Sequence, residues 1–121
     1  MSGFVRNLDH VQLAIPAGGE DLARTFFIGV LGFLEVEKPE PMRSRGGCWF
    51  ESGGAMLHLG VDPLFTPAKK AHPAFVVDRF RDLEAALLGA GFTFVRSDEM
   101  EGVERAFTHD PFGNRIEFVA A

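Results

Sequence analysis

Several residue types are scarce in this sequence, and each shortage removes a class of protein. The 121 residues include one cysteine, which excludes an internal disulfide and makes a reducing, cytoplasmic setting the expectation. Basic residues number 12 against 17 acidic ones, and the net charge of −5 offers no basic surface for nucleic acid. No apolar run approaches the roughly 20 residues that span a bilayer, so we expect no membrane partner. Residues 1–7 lack the apolar core of a signal peptide.

Phenylalanine supplies most of the aromatic character. The chain has 13 phenylalanines, one tryptophan and no tyrosine, and 46% of its residues are hydrophobic. This composition is typical of a soluble globular protein. The length fits one domain, or two small halves that share a core.

Hydrophobic patterning predicts the order strand, helix and three strands, twice. In the first half the predicted strands are 8–15, 33–37, 45–50 and 55–61, with a helix over 20–31. In the second half they are 72–77, 92–95, 104–109 and 115–119, with a helix over 79–90. The segment 38–45 is predicted to be a loop, and 62–71 is the predicted linker because each contains two prolines.

Fixed offsets between the halves indicate an internal duplication. His10 and His72 lie 62 residues apart, and each opens a half. An offset of 59 aligns His58 with Glu117, and it also aligns Gly32 with Gly91 and Gly54 with Gly113. We therefore predict an α+β fold, with a single domain over 1–121 built of two βαβββ modules, 7–62 and 71–121.

The duplication turns four scattered polar residues into two pairs, one from each module. His10 and His72 lie on the first strand of their modules, and His58 and Glu117 lie on the fourth. A single histidine on a strand is more often structural than a ligand. Three imidazoles and a carboxylate in one cavity, however, would be costly to leave unpaired. A divalent metal ion relieves that cost, because it binds neutral imidazole and carboxylate directly.

Four segments carry a resemblance to a known family: LDHVQLAIP, FFIGVLGF, HPAFVV and DPFGNRIEFV. With them the chain resembles the vicinal oxygen chelate superfamily, which includes glyoxalase I, fosfomycin-resistance enzymes, methylmalonyl-CoA epimerase, extradiol dioxygenases and bleomycin-resistance proteins. The resemblance covers residues 8–119. It implies paired βαβββ modules that curve into an open barrel around a metal ion, usually in a homodimer. Whether the site lies within one chain or is shared between two stays open.

The resemblance also implies roles for the four residues. His10, His72 and Glu117 match the three ligand positions that the metal-dependent members share. His58 matches a fourth position, where glyoxalase I has glutamate. An imidazole can bind a metal ion there, but it cannot serve as a second carboxylate base. Glu117 matches the residue that moves a substrate proton in glyoxalase I, so it is the candidate catalytic base.

The expected function is that of a metal-dependent, glyoxalase-like enzyme of the lyase/isomerase class. It would act on a small substrate whose vicinal oxygens a Zn, Ni, Mn, Co or Fe ion polarises. The alternatives are a fosfomycin-resistance-type transferase or hydrolase and a non-enzymatic drug-binding protein. Arg115 shares the predicted face of Glu117, and we expect it either to orient a phosphate or carboxylate or to pair with Glu117. The other candidate substrate contacts are Gln12, Arg45 and Trp49.

Overall fold

A computed structural model describes residues 3–121 and contains two four-stranded sheets with three helices. The first sheet has the order β1-β4-β3-β2 and the second has the order β5-β8-β7-β6. The elements are β1 (Val11–Ile15), α1 (Glu20–Phe27), β2 (Leu34–Val36), α2 (Glu40–Arg43), β3 (Cys48–Ser52), β4 (Ala55–Val61), β5 (Ala74–Val77), α3 (Phe80–Gly89), β6 (Val95–Ser97), β7 (Arg105–His109) and β8 (Arg115–Ala120). The predicted α+β class and the repeated βαβββ order are confirmed. Each sheet is open, as expected for an open barrel.

The two sheets have the same pairing pattern. In each, the first strand pairs in parallel with the fourth, and the remaining pairs are antiparallel. A parallel pair needs a long crossover. Here α1 and the β2–β3 hairpin supply it in the first module, and α3 and the β6–β7 hairpin supply it in the second. The first strand of each module therefore lies at a sheet edge beside its fourth strand.

Phenylalanine side chains form the core, and they join the two modules. Phe26 and Phe27 of α1 are fully buried, as is Phe50 of β3. The ring of Phe26 meets Phe92 of the second module at 4.7 Å between centroids, and Phe33 meets Phe75 at 5.7 Å. Because phenylalanine has no hydroxyl that needs a partner, this junction buries apolar surface at no polar cost.

A buried asparagine links the second module to the first through hydrogen bonds. Asn114 Nδ2 donates a hydrogen bond to the Ala14 carbonyl of β1 at 2.9 Å and another to Asp110 Oδ2 at 2.9 Å. Its Oδ1 accepts a bond of 3.0 Å from the Ala68 amide in the segment that connects the modules. One side chain thus links both modules and their connection. No helix within residues 3–121 is long and apolar enough to cross a membrane.

Several predicted elements differ from the structure at their ends, among them β1 and the first helix. β1 begins at Val11 instead of Leu8, because its partner β4 pairs with it only from Leu57 onward. The first helix ends at Phe27 instead of Leu31. Beyond it the backbone switches to wider hydrogen bonds, in which the Gly29 amide bonds to the Arg24 carbonyl. A β-carbon on Gly29 would lie 2.4 Å from the Thr25 carbonyl oxygen.

The sixth strand and the 38–45 segment also differ from the prediction. β6 covers Val95–Ser97 and not 92–95, because Phe92 and Phe94 are used for packing before strand pairing begins. Phe94 contacts Phe80 of α3 at 5.2 Å between ring centroids. Residues 38–45 contain the short helix α2, whose first turn accommodates Pro41 because that position needs no amide donor.

Candidate functional site

Strand register gives the four candidate ligands equivalent positions in the two modules. In the first sheet Gln12 pairs with His58, and His10 lies two residues before Gln12. In the second sheet Ala74 pairs with Glu117, and His72 lies two residues before Ala74. Both histidines precede their strands instead of lying within them. Each module therefore presents one pair of donors at the start of its parallel strand pair.

In the second module the pair is in direct contact. His72 Nε2 lies 2.9 Å from Glu117 Oε1, and His72 Nδ1 lies 2.8 Å from the Lys70 carbonyl oxygen. A carbonyl oxygen only accepts, so Nδ1 carries a proton. Nε2 is the ring nitrogen that faces the carboxylate, so His72 and Glu117 are the two groups of this module that would hold a metal ion.

Arg105 holds the other oxygen of Glu117. Its Nε donates to Glu117 Oε2 at 3.0 Å, and its Nη1 donates to Ser97 Oγ at 3.3 Å. The Arg105 bond is the main cause that lowers the pKa of Glu117, and His72 lowers it further, whereas burial opposes both. Glu117 is buried, with 8% of its surface exposed. The carboxylate is therefore ionised and fixed from two sides.

Arg105 is not among the residues predicted for the site. The sequence did contain a signal for it, because the turn at 110–114 places His109 opposite Arg115 and Phe107 opposite Glu117. Strand alternation then puts Arg105 on the same face as Phe107 and diagonally across from Glu117, since Arg105 itself pairs with Val119.

In the first module the donor pair is part of an aromatic stack. The ring of His58 lies parallel to Trp49, with centroids 3.8 Å apart and an interplanar angle of 1°. His10 covers the other face of His58 at 4.0 Å and 20°. Burial is the main cause that lowers the pKa of His58, and His10 adds to it while Asp9 opposes it. His58 is therefore held as a neutral imidazole, the form that binds metal ions.

The stacked rings test whether the donors fit a common metal ion. Imidazole lone pairs lie in the ring plane, so two nearly parallel rings whose centroids are 4.0 Å apart would have to unstack before both could bind one ion. Within residues 3–121 no three histidine, cysteine, aspartate or glutamate side chains come together as a metal-binding group. The donor types fit a divalent ion, but one chain arranges them as two separate pairs.

One histidine of each pair borders the same cleft. His10 and His72 line a cavity of about 640 Å³ together with Gln12, Met56 and Ala74. Gln12 lies over Gly60 of β4, where a β-carbon would come within 2.5 Å of its Nε2. The missing side chain of Gly60 therefore makes room for Gln12 beside His58.

Of the other residues predicted to contact substrate, all but one lie near the donor pairs. Trp49 stacks on His58, and Arg115 lies over the ring of Phe107 with its guanidinium carbon 4.0 Å from the centroid. Arg45 is exposed after α2, and its side chain forms no hydrogen bond or ion pair to any other residue in the 3–121 range. The structure thus places Gln12, Trp49 and Arg115 beside the donor pairs and gives Arg45 no contact with them.

Comparison with known proteins agrees with the fold. The family model described as Glyoxalase/Bleomycin resistance protein/Dioxygenase superfamily matches residues 7–118. A curated relative, Glyoxylase I 4 of Arabidopsis thaliana, is 30% identical over 122 aligned residues, which cover 92% of this chain and 68% of the relative.

Solved structures show the same architecture. A glyoxalase family protein from Bacillus anthracis superposes with a TM-score of 0.94 at 42% identity, covering 99% of this chain and 98% of that one. The lactoylglutathione lyase of Agrobacterium tumefaciens superposes with a TM-score of 0.67 at 18% identity over 91% of each chain. At that identity the second likeness concerns the fold alone.

Proposed function

The chain belongs to the Glyoxalase/Bleomycin resistance protein/Dioxygenase superfamily, and we propose that it is a metal-dependent, glyoxalase-like enzyme of the lyase/isomerase class. Its substrate is a small molecule with vicinal oxygens. The reaction takes place in a reducing, cytoplasmic compartment, a setting that suits the buried free thiol of Cys48.

The observation that carries this proposal is the pair of donor sets at equivalent register positions. His10 and His58 would supply two imidazoles to a divalent ion, and His72 and Glu117 would supply a third imidazole and a carboxylate. These ligand types suit Zn, Ni, Mn, Co or Fe. The ion would supply Lewis-acid polarisation of the substrate oxygens.

Glu117 is the proposed proton carrier. Its Oε1 faces His72, while Arg105 holds Oε2. With His72 Nε2 directed to a bound ion instead of to Oε1, the ionised carboxylate would still be held at Oε2, and its Oε1 could accept a proton from a carbon next to a carbonyl. Gln12 and Trp49 border this region from the first module, and they would contact the substrate.

We further propose that the site is completed in a homodimer, with one pair of donors from each chain. A single chain leaves the pairs apart. Apolar side chains on the same sheet faces as the donors are also open to solvent. Leu34 is 66% exposed, Val76 is 74% exposed and Val95 is 62% exposed. In the proposed dimer the second chain would cover these side chains.

Metal titration of chelator-treated protein tests the proposal. We expect stoichiometric binding of at least one of Zn²⁺, Ni²⁺, Mn²⁺ or Fe²⁺ by calorimetry, and about a tenfold or greater loss of affinity in each of H10A, H58A, H72A and E117Q. The matched control is H109A, because His109 is the one histidine outside the two pairs. Absence of stoichiometric binding for every ion would refute the metal site.

Mixed dimers separate a shared site from an internal one. One chain carries H10A with H58A, and the other carries H72A with E117Q. If the site is shared, a mixed dimer keeps one intact set of four donors and binds one ion. If the site lies within a chain, both sets are broken and neither binds. Trp49, the single tryptophan, reports the event by fluorescence because it stacks on His58.

Activity is tested by proton exchange. Small 2-oxo and 2-hydroxy carbonyl compounds are incubated with metal-loaded protein in D₂O, and NMR follows loss of the proton next to the carbonyl. We expect exchange that E117Q removes and H109A keeps. Metal binding without exchange across the panel would contradict the proposed role of Glu117.

A further inference from the structure

We infer that Arg115, stacked on Phe107, forms a subsite for an oxyanion of the substrate, either a carboxylate or a phosphate. The inference rests on the proposed function in one respect: the substrate is taken to lie at Glu117. It adds the substrate class, a small anionic molecule. It also assigns the group that recognises the charge.

The side chain of Arg115 is available to bind an anion. Of the two arginines beside Glu117, Arg105 takes the carboxylate, with Nε 3.0 Å from Oε2. Throughout residues 3–121, by contrast, the Arg115 side chain has no hydrogen bond to a protein acceptor and no ion pair. Glu117 therefore does not neutralise Arg115, although the two lie on the same face of β8.

The guanidinium of Arg115 lies over the face of Phe107. Its carbon lies 4.0 Å from the ring centroid, close enough for a cation–π contact. This contact occupies none of the guanidinium N–H groups with an oxygen acceptor. The donors therefore remain available for the two oxygens of a carboxylate or phosphate, which guanidinium geometry matches.

The local charge also favours an anion at Arg115. The guanidinium carbons of Arg105 and Arg115 lie 5.3 Å and 4.0 Å from the centroid of Phe107. The nearby carboxylates act on Arg105, because Glu117 bonds to it and the charge of Glu99 also raises its pKa. Arg115 has no ion-pair partner within residues 3–121, so its positive charge is left uncompensated. Such a charge attracts an anion, and the half-buried setting strengthens the contact.

Arg115 also lies close to Glu117, the proposed proton carrier. Arg115 and Glu117 are two residues apart on one strand, so their backbones are separated by about 6.8 Å. An oxyanion on Arg115 would place the next few atoms of a small substrate in front of Glu117. His72 lies against the same ring at 5.5 Å between centroids, so the subsite adjoins the donor pair of the second module.

The test uses metal-free protein, so that it does not depend on the metal site. Arginine Nε–Hε signals are followed by ¹H–¹⁵N NMR while inorganic phosphate or acetate replaces chloride at constant ionic strength. We expect a saturable shift of the Arg115 signal. The anion with the lower Kd identifies the group as phosphate or carboxylate. If neither anion shifts this signal beyond chloride, the inference is wrong.

Two variants control for charge. R115Q should raise the Kd of the preferred anion at least tenfold, whereas R81Q removes the same charge from α3 and should leave it unchanged. Equal losses in both would indicate unspecific attraction and would overturn the subsite. Should R115Q fail to fold, the wild-type titration still decides. If the anion saturates the Arg115 signal but no metal ion binds, the subsite is supported and the metal proposal is refuted. If a metal ion binds but no anion shifts the Arg115 signal, the metal proposal is supported and the subsite is refuted.

Discussion

Replacing Asn114 tests whether one buried side chain holds the modules together. Asn114→Ala removes two donated hydrogen bonds and one accepted bond, leaving the Ala14 carbonyl, the Ala68 amide and Asp110 Oδ2 without their partner. A buried polar group that loses its partner costs about 1–3 kcal/mol. Because water reaches part of this region, we expect a total loss of about 3 kcal/mol in the free energy of unfolding.

Urea unfolding followed by circular dichroism measures this loss. With an m-value of about 1.5 kcal/mol/M, the midpoint should fall by about 2 M. Asn7→Ala is the matched control, because Asn7 is exposed and bonds only to its neighbour Leu8. Its midpoint should stay unchanged. A loss below about 1 kcal/mol in Asn114→Ala would refute the reasoning.

The pH dependence gives an independent check. Burial raises the pKa of Asp110, and the side-chain bond from Asn114 opposes that rise. Alanine keeps the backbone amide bond to Asp110 but lacks the side-chain bond, so the pKa rises further in the variant. A carboxyl whose pKa is higher in the folded state stabilises the fold at low pH and loses that contribution as pH increases. The deficit of Asn114→Ala should therefore be largest at neutral pH and shrink as the pH falls toward the pKa of Asp110.

Two further predictions concern the first module. Gly47→Ala should lower the melting temperature far more than Gly53→Ala. Both residues have positive φ, but a β-carbon at Gly47 would lie 2.0 Å from the Leu59 carbonyl oxygen, whereas one at Gly53 meets nothing within 4 Å; similar losses would contradict this. Cys48 is 1% exposed and burial raises its pKa to about 11. A thiol reagent at pH 8 should therefore modify it only in urea, and rapid labelling of the folded protein would contradict the burial.

The fold could be predicted from the sequence because the patterns that indicate its strands and helices are local. Alternation along β4 and β8 and the helical spacing around Phe26 and Phe80 each need only a few neighbouring residues. The 62- and 59-residue offsets then aligned His10 with His72 and paired His58 with Glu117. Strand register agrees with that alignment.

Element ends were predicted less well, because they depend on partners elsewhere in the chain. Leu8 is apolar and continues the alternation of β1, yet it is 78% exposed and has no strand beside it. Phe92 and Phe94 suit a strand by residue type, but packing against Phe26 and Phe80 displaces the sixth strand toward Ser97.

The sequence by itself determined which residues of a strand share a face, because alternation in a strand fixes the face of each side chain. Only the tertiary structure decided what those side chains contact. Glu117 bonds to Arg105, Arg115 lies over Phe107, and His58 stacks between Trp49 and His10. These contacts depend on cross-strand register and on side-chain rotamers. Register and rotamers depend on residues that are distant in sequence, so composition and spacing do not predict them.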